Sequence, residues 1–153
     1  MNNLNLSNIA EVKISYSTKV KSSDRIKITS SATAAEVLRS TWDQDLIEYQ
    51  EQFRVIFLNN ANKVLGVQNV STGSMNACIV DAKVIFTAAL KTGAASIIVA
   101  HNHPSGNLKP SEQDKQQTKK LIEGGKTLDI RVLDHIILSV DSYLSFGDEG
   151  LMN

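Results

Sequence analysis

The sequence is poor in cysteine and proline and carries no net charge. It has one Cys and two Pro in 153 residues, and its 16 Lys and Arg balance 16 Asp and Glu. A single Cys excludes an intramolecular disulfide and a cysteine-rich zinc site. Zero net charge argues against nucleic acid or an anionic membrane as a partner held by a positive field. The longest apolar stretch, residues 94–100, is far shorter than the ~18 residues of a membrane span, so we expect no membrane partner.

The N-terminal residues also lack the features of a secretory signal. Residues 1–10 have neither a basic segment nor a long apolar core, so we expect a cytoplasmic protein. The length suits one domain. Cys78 lies in an apolar stretch without a cation nearby, which favours a buried reduced thiol over a catalytic nucleophile.

Hydrophobic periodicity predicts an α/β architecture, an α+β mixed sheet flanked by helices. Val12, Ile14 and Tyr16 alternate with polar residues, which predicts a half-exposed strand. The lysines in this segment would protect the edge of the sheet from pairing with other chains, and nucleic-acid contact by them is the minority interpretation. Thr33 to Glu36 is a capping-box sequence that predicts a helix from Ala34. The remaining predicted elements are a short strand at 25–28, a hairpin of 53–58 with 63–70, helices at 81–91 (capped by Gly93) and 111–123 (ended by Gly124 and Gly125), a central strand at 95–100, and strands at 130–140 and 143–146.

The rare residues cluster immediately after the predicted central strand. His101 and His103 alternate by two and can point to one side of an extended backbone. Pro104 and Pro110 bracket a loop, after which Asp114 falls in the first turn of the next helix. Two His and one Asp would leave a tetrahedral zinc one open position for water, as in a catalytic site. Capping offers another interpretation, because Ser111 and Asp114 also match a capping box; the two roles are compatible.

The segment from His101 to Asp114, HNHPSGNLKPSEQD, resembles the signature of the JAMM (MPN+) metalloproteases in their bacterial RadC branch. Further similarity lies at residues 51–53, 133–137 and 143–146. The resemblance implies a three-layer fold like that of cytidine deaminases, with an N-terminal extension over residues 1–31 and the JAMM domain over residues 32–153. Relatives in this branch often carry an N-terminal helix-hairpin-helix DNA-binding module. Because residues 1–31 are too few to hold it, we expect it to be missing, which weighs against a DNA-repair role.

The resemblance also assigns roles to individual residues. It implies that His101, His103 and Asp114 bind Zn²⁺ and that Glu51 is the general base. It further implies that Ser111 donates a hydrogen bond to the oxyanion. Glu48, one helical turn before Glu51, is the alternative acid.

We therefore expect a zinc-dependent hydrolase of a peptide or isopeptide amide bond, with a peptide or protein substrate. The alternatives are a metal-dependent phosphodiesterase, Fe(II) oxygen chemistry, and an interaction module associated with DNA repair, recombination or mobile elements. Nucleobase deamination is excluded because its signature needs more than one Cys. His135 lies in an apolar run, which favours a hydrogen-bonded histidine of the core over a residue that supports the metal ligands. Exposed edge strands or the Ala-rich helix after Asp81 could pair between two copies of the chain, so the sequence is compatible with a homo-oligomer.

Overall fold

The protein is a five-stranded mixed sheet with helices on both faces. The computed structural model describes residues 4–75 and 78–153. Residues 1–3 of the predicted extension, and Ala77 beside Cys78, lie outside the described residues. Two short 3₁₀ helices, Leu6–Asn8 and Ser22–Asp24, come first. The α-helices and strands that follow, in chain order, are α1 (Ser31–Thr41), β1 (Gln52–Leu58), β2 (Val64–Thr72), α2 (Ala82–Thr92), β3 (Ser96–Asn102), α3 (Glu112–Thr127), β4 (Arg131–Leu138) and β5 (Tyr143–Ser145).

The strand order places β3 at the centre of the sheet. The order is β2-β1-β3-β4-β5, with β3 parallel to β4 and the other neighbours antiparallel. All seven residues of β3 are buried, as expected for a strand covered on both faces. The α/β class and the mixed sheet flanked by helices are confirmed.

Side-chain alternation divides the core into two layers, one on each face of the sheet. Ile98 and Ala100 of β3 lie in the cluster that contains the buried residues of α1. Ile97 and Val99 lie in the other cluster, with residues of α2 and α3. The sheet is thus the middle of three layers, and odd-numbered residues of β3 face α3.

The first helix begins earlier than the sequence predicts. The capping box predicted a start at Ala34, whereas α1 begins at Ser31 and is capped by Ser30, whose side chain accepts a hydrogen bond from the Thr33 backbone N–H. The earlier start places Ala34 and Ala35 inside the helix, where both are buried against the sheet. The prediction chose the wrong one of several hydroxyl residues in this stretch.

The prediction that α3 ends at Gly124 and Gly125 is also wrong. The helix continues to Thr127, and both glycines lie where α3 meets neighbouring elements. A Cβ atom on Gly125 would lie 2.2 Å from the carbonyl oxygen of Ile130, and one on Gly124 would lie 3.1 Å from the Phe86 ring. These glycines permit close approach instead of ending the helix.

The predicted strand at Val12 to Tyr16 is not formed. Residues 11–20 have no regular secondary structure, and Val12 and Ile14 are exposed. Alternation alone is insufficient, because no strand in the described part of the chain pairs with this segment. Tyr16 instead donates a side-chain hydrogen bond to the Leu65 carbonyl. The short strand predicted at 25–28 is reduced to one antiparallel bridge between Lys27 and Lys63.

The hairpin, the helix capped by Gly93, and the strands that follow match their predicted positions to within a few residues. None of the helices in the described part of the chain has the length and apolar character needed to cross a membrane. The predicted boundary between residues 31 and 32 stays a prediction.

Candidate metal centre

Two imidazoles project from the end of the central strand toward α3. His101 is the sixth residue of β3, and by alternation it shares a face with Ile97 and Val99. His103 follows one residue after the strand and lies on the same side, with its Nε2 atom 2.9 Å from Nε2 of His101. Its Nδ1 lies 2.6 Å from the carbonyl oxygen of Asn107, so the loop after Pro104 fixes the orientation of the ring.

The capping box at the start of α3 positions Asp114. The Ser111 side chain accepts a hydrogen bond from the Asp114 backbone N–H at 3.0 Å, and Asp114 Oδ2 accepts one from the Ser111 N–H at 2.8 Å. Asp114 Oδ1 lies 3.3 Å from His101 Nε2, and Oδ2 lies 3.5 Å from His103 Nε2. Asp114 therefore caps the helix and faces both imidazoles, as the two compatible interpretations of the sequence allow.

Glu51 enters the same site from the residue before β1. It is buried although it is ionisable, and its Oε1 lies 3.8 Å from His101 Nε2. Antiparallel pairing places Phe53 opposite His101, so Glu51, two residues earlier, lies on the α3 face beside His103. Glu48, the alternative acid, is exposed and lines the neighbouring cleft.

The structure thus brings Glu51, His101, His103 and Asp114 together. One ligand atom from each lies within 4.8 Å of the others. A tetrahedral ion with ligands at about 2.0–2.1 Å separates those ligands by about 3.3 Å, close to the observed spacings. The four residues and Ser111 line a cavity of about 100 Å³. Glu51 and His103 also line an adjoining cleft of about 450 Å³.

The pKa values of the two carboxylates of the site are shifted in opposite directions. Burial alone would raise the pKa of Asp114, but the close contacts of its carboxylate with the imidazoles of His101 and His103 outweigh it and hold that pKa well below its usual range. Burial raises the pKa of Glu51, and the two histidines offset only part of the increase. Asp114 is therefore held ionised, whereas Glu51 is the carboxylate more inclined to take up a proton.

The hydrogen-bond geometry of His103 suits a bound cation at this point. Since the Asn107 carbonyl can only accept, a neutral His103 carries its proton on Nδ1 and presents a bare lone pair at Nε2. That lone pair faces His101 Nε2 and the Asp114 carboxylate. With His103 neutral and Asp114 ionised, neither group supplies a proton for a hydrogen bond between them. Burial lowers the pKa of His103, but its contacts with Asp114 and Asn107 raise it by more, so positive charge is favoured here. Two imidazoles and a carboxylate also form a usual zinc donor set, so the residues fit this ion.

Cys78 lines the cavity without joining the cluster. Its thiol is half-buried and its Sγ lies 2.9 Å from the Ser71 hydroxyl oxygen. Burial raises the pKa of the thiol, which keeps it protonated and unreactive. A separate groove of about 520 Å³, between residues 14–16, β2 and α2, has no His or acidic residue in its lining.

The sequence did not reveal the roles of two polar residues in this site. Asn102, fully buried, points to the opposite face from its histidine neighbours and donates to the carbonyls of Ile47 and Gln50 while accepting from Gln52 N–H. It thereby attaches the segment that carries Glu51 to the end of β3. Strand alternation gives the direction of this side chain, but its partners lie about 50 residues earlier in the chain.

His135 is the second of these residues. It is fully buried and hydrogen-bonded, as the core interpretation expects, but its Nε2 lies 2.7 Å from Nδ1 of His101. It therefore also supports one of the candidate ligands. The parallel register of β3 and β4, which pairs Val99 with His135, was the signal that the sequence alone did not supply.

Known proteins match most of this chain. A family model described as a RadC-like JAB domain matches residues 28–151. A UPF0758 protein of Flavobacterium johnsoniae is 35% identical over 168 residues, covering 96% of this chain and 73% of that protein. A UPF0758 protein of Caldanaerobacter subterraneus is 35% identical over 155 residues, covering 95% of this chain and 66% of that protein. A UPF0758 protein of Methanosarcina mazei is 46% identical over 103 residues, covering 67% of this chain and 45% of that protein, so the chain matches under half of that relative's length.

Proposed function

The chain belongs to the RadC-like JAB domain family, and we propose that it is a zinc-dependent hydrolase of the JAMM type that cleaves a peptide or isopeptide amide bond. The observation that carries the proposal is the cluster of two imidazoles and two carboxylates at the end of β3, in a small cavity open to a larger cleft. His101, His103 and Asp114 would hold the ion. The ion would supply Lewis-acid chemistry that makes a water molecule nucleophilic near neutral pH.

Glu51 acts as the general base. Its carboxylate lies beside the proposed ligands, and its raised pKa suits a group that takes a proton from water and returns it to the leaving amine. Asp114 is unsuited to this role because its carboxylate is held ionised by the two histidines.

Ser111 stabilises the oxyanion formed when water adds to the amide carbonyl. Its Oγ accepts the Asp114 N–H, so the hydroxyl proton remains available for donation into the cavity. Such a donor acts on charge that develops in the transition state. The open cleft beside Glu51 and His103 would hold the residues that flank the scissile bond.

The test combines metal analysis with cleavage of a peptide library and of peptides linked through a lysine side chain. Glu51→Gln should retain zinc and lose hydrolysis by about 10²-fold or more, since general acid–base catalysis contributes that much. Glu48→Gln is the matched control, because it neutralises an exposed acid of the same cleft, and it should retain hydrolysis. Full activity of Glu51→Gln, or no cleavage of any amide by the zinc-loaded protein, would contradict the proposal.

A further inference from the structure

A line of buried hydrogen bonds connects the backbone of α3 to the candidate ligand His101. The Thr118 hydroxyl lies 2.8 Å from the carbonyl oxygen of Asp114 and 2.6 Å from His135 Nδ1. On the other side of its ring, His135 Nε2 lies 2.7 Å from His101 Nδ1. Thr118, His135 and His101 are each at most 2% exposed, so water does not substitute for these partners.

The direction of every hydrogen bond in this line follows from its first acceptor. The Asp114 carbonyl can only accept, so the single proton of the Thr118 hydroxyl is donated to it. The hydroxyl oxygen must then accept from His135, which places the proton of a neutral His135 on Nδ1. His135 Nε2 is consequently an acceptor, and His101 Nδ1 must donate to it.

We propose that Thr118 and His135 act as a relay that fixes the tautomer of His101, with the proton on Nδ1 and the Nε2 lone pair directed into the metal cavity. Thr118 is thus a positioning residue for a ligand that it does not contact. The inference rests on the proposed metal site for its purpose, but the tautomer itself is a property of the metal-free protein.

Packing around His135 supports a fixed ring. It stacks on Phe146 with centroids 4.6 Å apart, and it meets Phe53 edge-on at 5.8 Å. Since the ring is held in place, the remaining choice is which nitrogen carries the proton. The Thr118 hydroxyl determines which nitrogen of His135 is protonated.

Removal of the Thr118 hydroxyl should reverse the direction of the hydrogen bond between His135 and His101. In Thr118→Val, His135 Nδ1 has no acceptor, so the tautomer with the proton on Nε2 becomes favoured. That proton would be donated to His101 Nδ1, leaving the His101 proton on Nε2, where it blocks metal binding. Thr118→Ser keeps the hydroxyl and loses only a methyl group, so the line should survive.

The direct experiment is ¹⁵N NMR of the histidine side chains in the metal-free protein, at a pH where the imidazoles are neutral. The wild type and Thr118→Ser should show His101 with a protonated Nδ1 and an unprotonated Nε2, and Thr118→Val should show the reverse. A wild-type His101 with its proton on Nε2 would overturn the inference, whether or not the protein hydrolyses amides. This measurement on the wild type needs no variant to fold.

Zinc affinity, measured by competition with a chelator, provides the second readout. Thr118→Val should weaken binding by about 10- to 100-fold, the usual effect of losing a group that orients a ligand. Thr118→Ser should stay within about threefold of the wild type. A purely structural role predicts the opposite order, because Val preserves the shape of Thr whereas Ser leaves a buried cavity; that order would refute the relay. Amide hydrolysis is not part of either readout, so failure of the relay and failure of the proposed activity are distinguishable.

Discussion

Substitution of Gly125 tests the packing that holds α3, and with it Asp114 and Thr118, against the sheet. A Cβ on Gly125 would lie 2.2 Å from the Ile130 carbonyl oxygen, about 0.8 Å inside the 3.0 Å limit that real contacts respect. The obstacle is backbone, and the Ile130 N–H in turn donates to the Gly125 carbonyl at 2.9 Å. The helix end and the start of β4 must therefore separate to accommodate an alanine.

The expected cost follows from three contributions. Overpacking costs about 1–3 kcal/mol, and weakening of the Ile130 hydrogen bond costs about 1 kcal/mol. Replacing glycine by alanine inside a helix returns about 0.8–1 kcal/mol. Gly125→Ala should thus lower the free energy of unfolding by about 1–3 kcal/mol, which corresponds to a fall in Tm of roughly 2–12 °C.

Gly124→Ala is the matched control, one position earlier in the same helix. Its Cβ would meet the Phe86 ring at 3.1 Å, and a side chain can shift by the few tenths of an ångström required. The higher helix propensity of alanine should offset the cost of moving the Phe86 ring, leaving the free energy of unfolding within about 1 kcal/mol of the wild type. Urea denaturation of both metal-free variants gives the comparison. Equal stability of the two variants would refute the close-approach explanation.

Three further predictions concern the site. Asn102→Ala should lower the free energy of unfolding by about 3 kcal/mol in urea denaturation, because two buried backbone groups and one partly buried one lose their partner; a loss under 1 kcal/mol would contradict this. Chelation of zinc from a sample with free metal near 1,000 times its Kd should remove about 4 kcal/mol of stability, roughly 10 °C in a thermal melt, and an unchanged melt would argue against a bound ion. Ser111→Ala should cost about 1 kcal/mol through the lost helix cap and slow amide hydrolysis by about 10²-fold with zinc retained; undiminished turnover would remove Ser111 from the mechanism.

The elements near the site were the more predictable part of the fold. The buried strand before His101 is apolar on both faces, and Asp81 and Gly93 mark the ends of α2, so local patterns sufficed there. Patterns misled where a tertiary contact decided the outcome. The alternation at Val12 to Tyr16 lacks a partner strand, and the paired glycines of α3 serve a close contact.

The same distinction applies to the candidate site. Spacing placed His101, His103 and Asp114 together because a strand end, a short loop and a capped helix constrain them locally. Glu51 was assigned through the family resemblance, since nothing in its own segment shows that β1 pairs beside β3. The role of His135 needed the register of β3 against β4, and that of Thr118 needed the packing of α3 on β4.

Metal content tests the central claim most directly. Protein purified without metal-affinity steps and supplied with zinc should contain one zinc per chain by mass spectrometry. Asp114→Asn should lose that zinc while remaining folded, because the amide oxygen can still accept the Ser111 N–H. Glu112→Gln, which changes an exposed acid in the same helical turn, should keep it. A folded wild type without zinc, or an Asp114→Asn protein that retains a full equivalent, would contradict the assignment of this cluster as a metal centre.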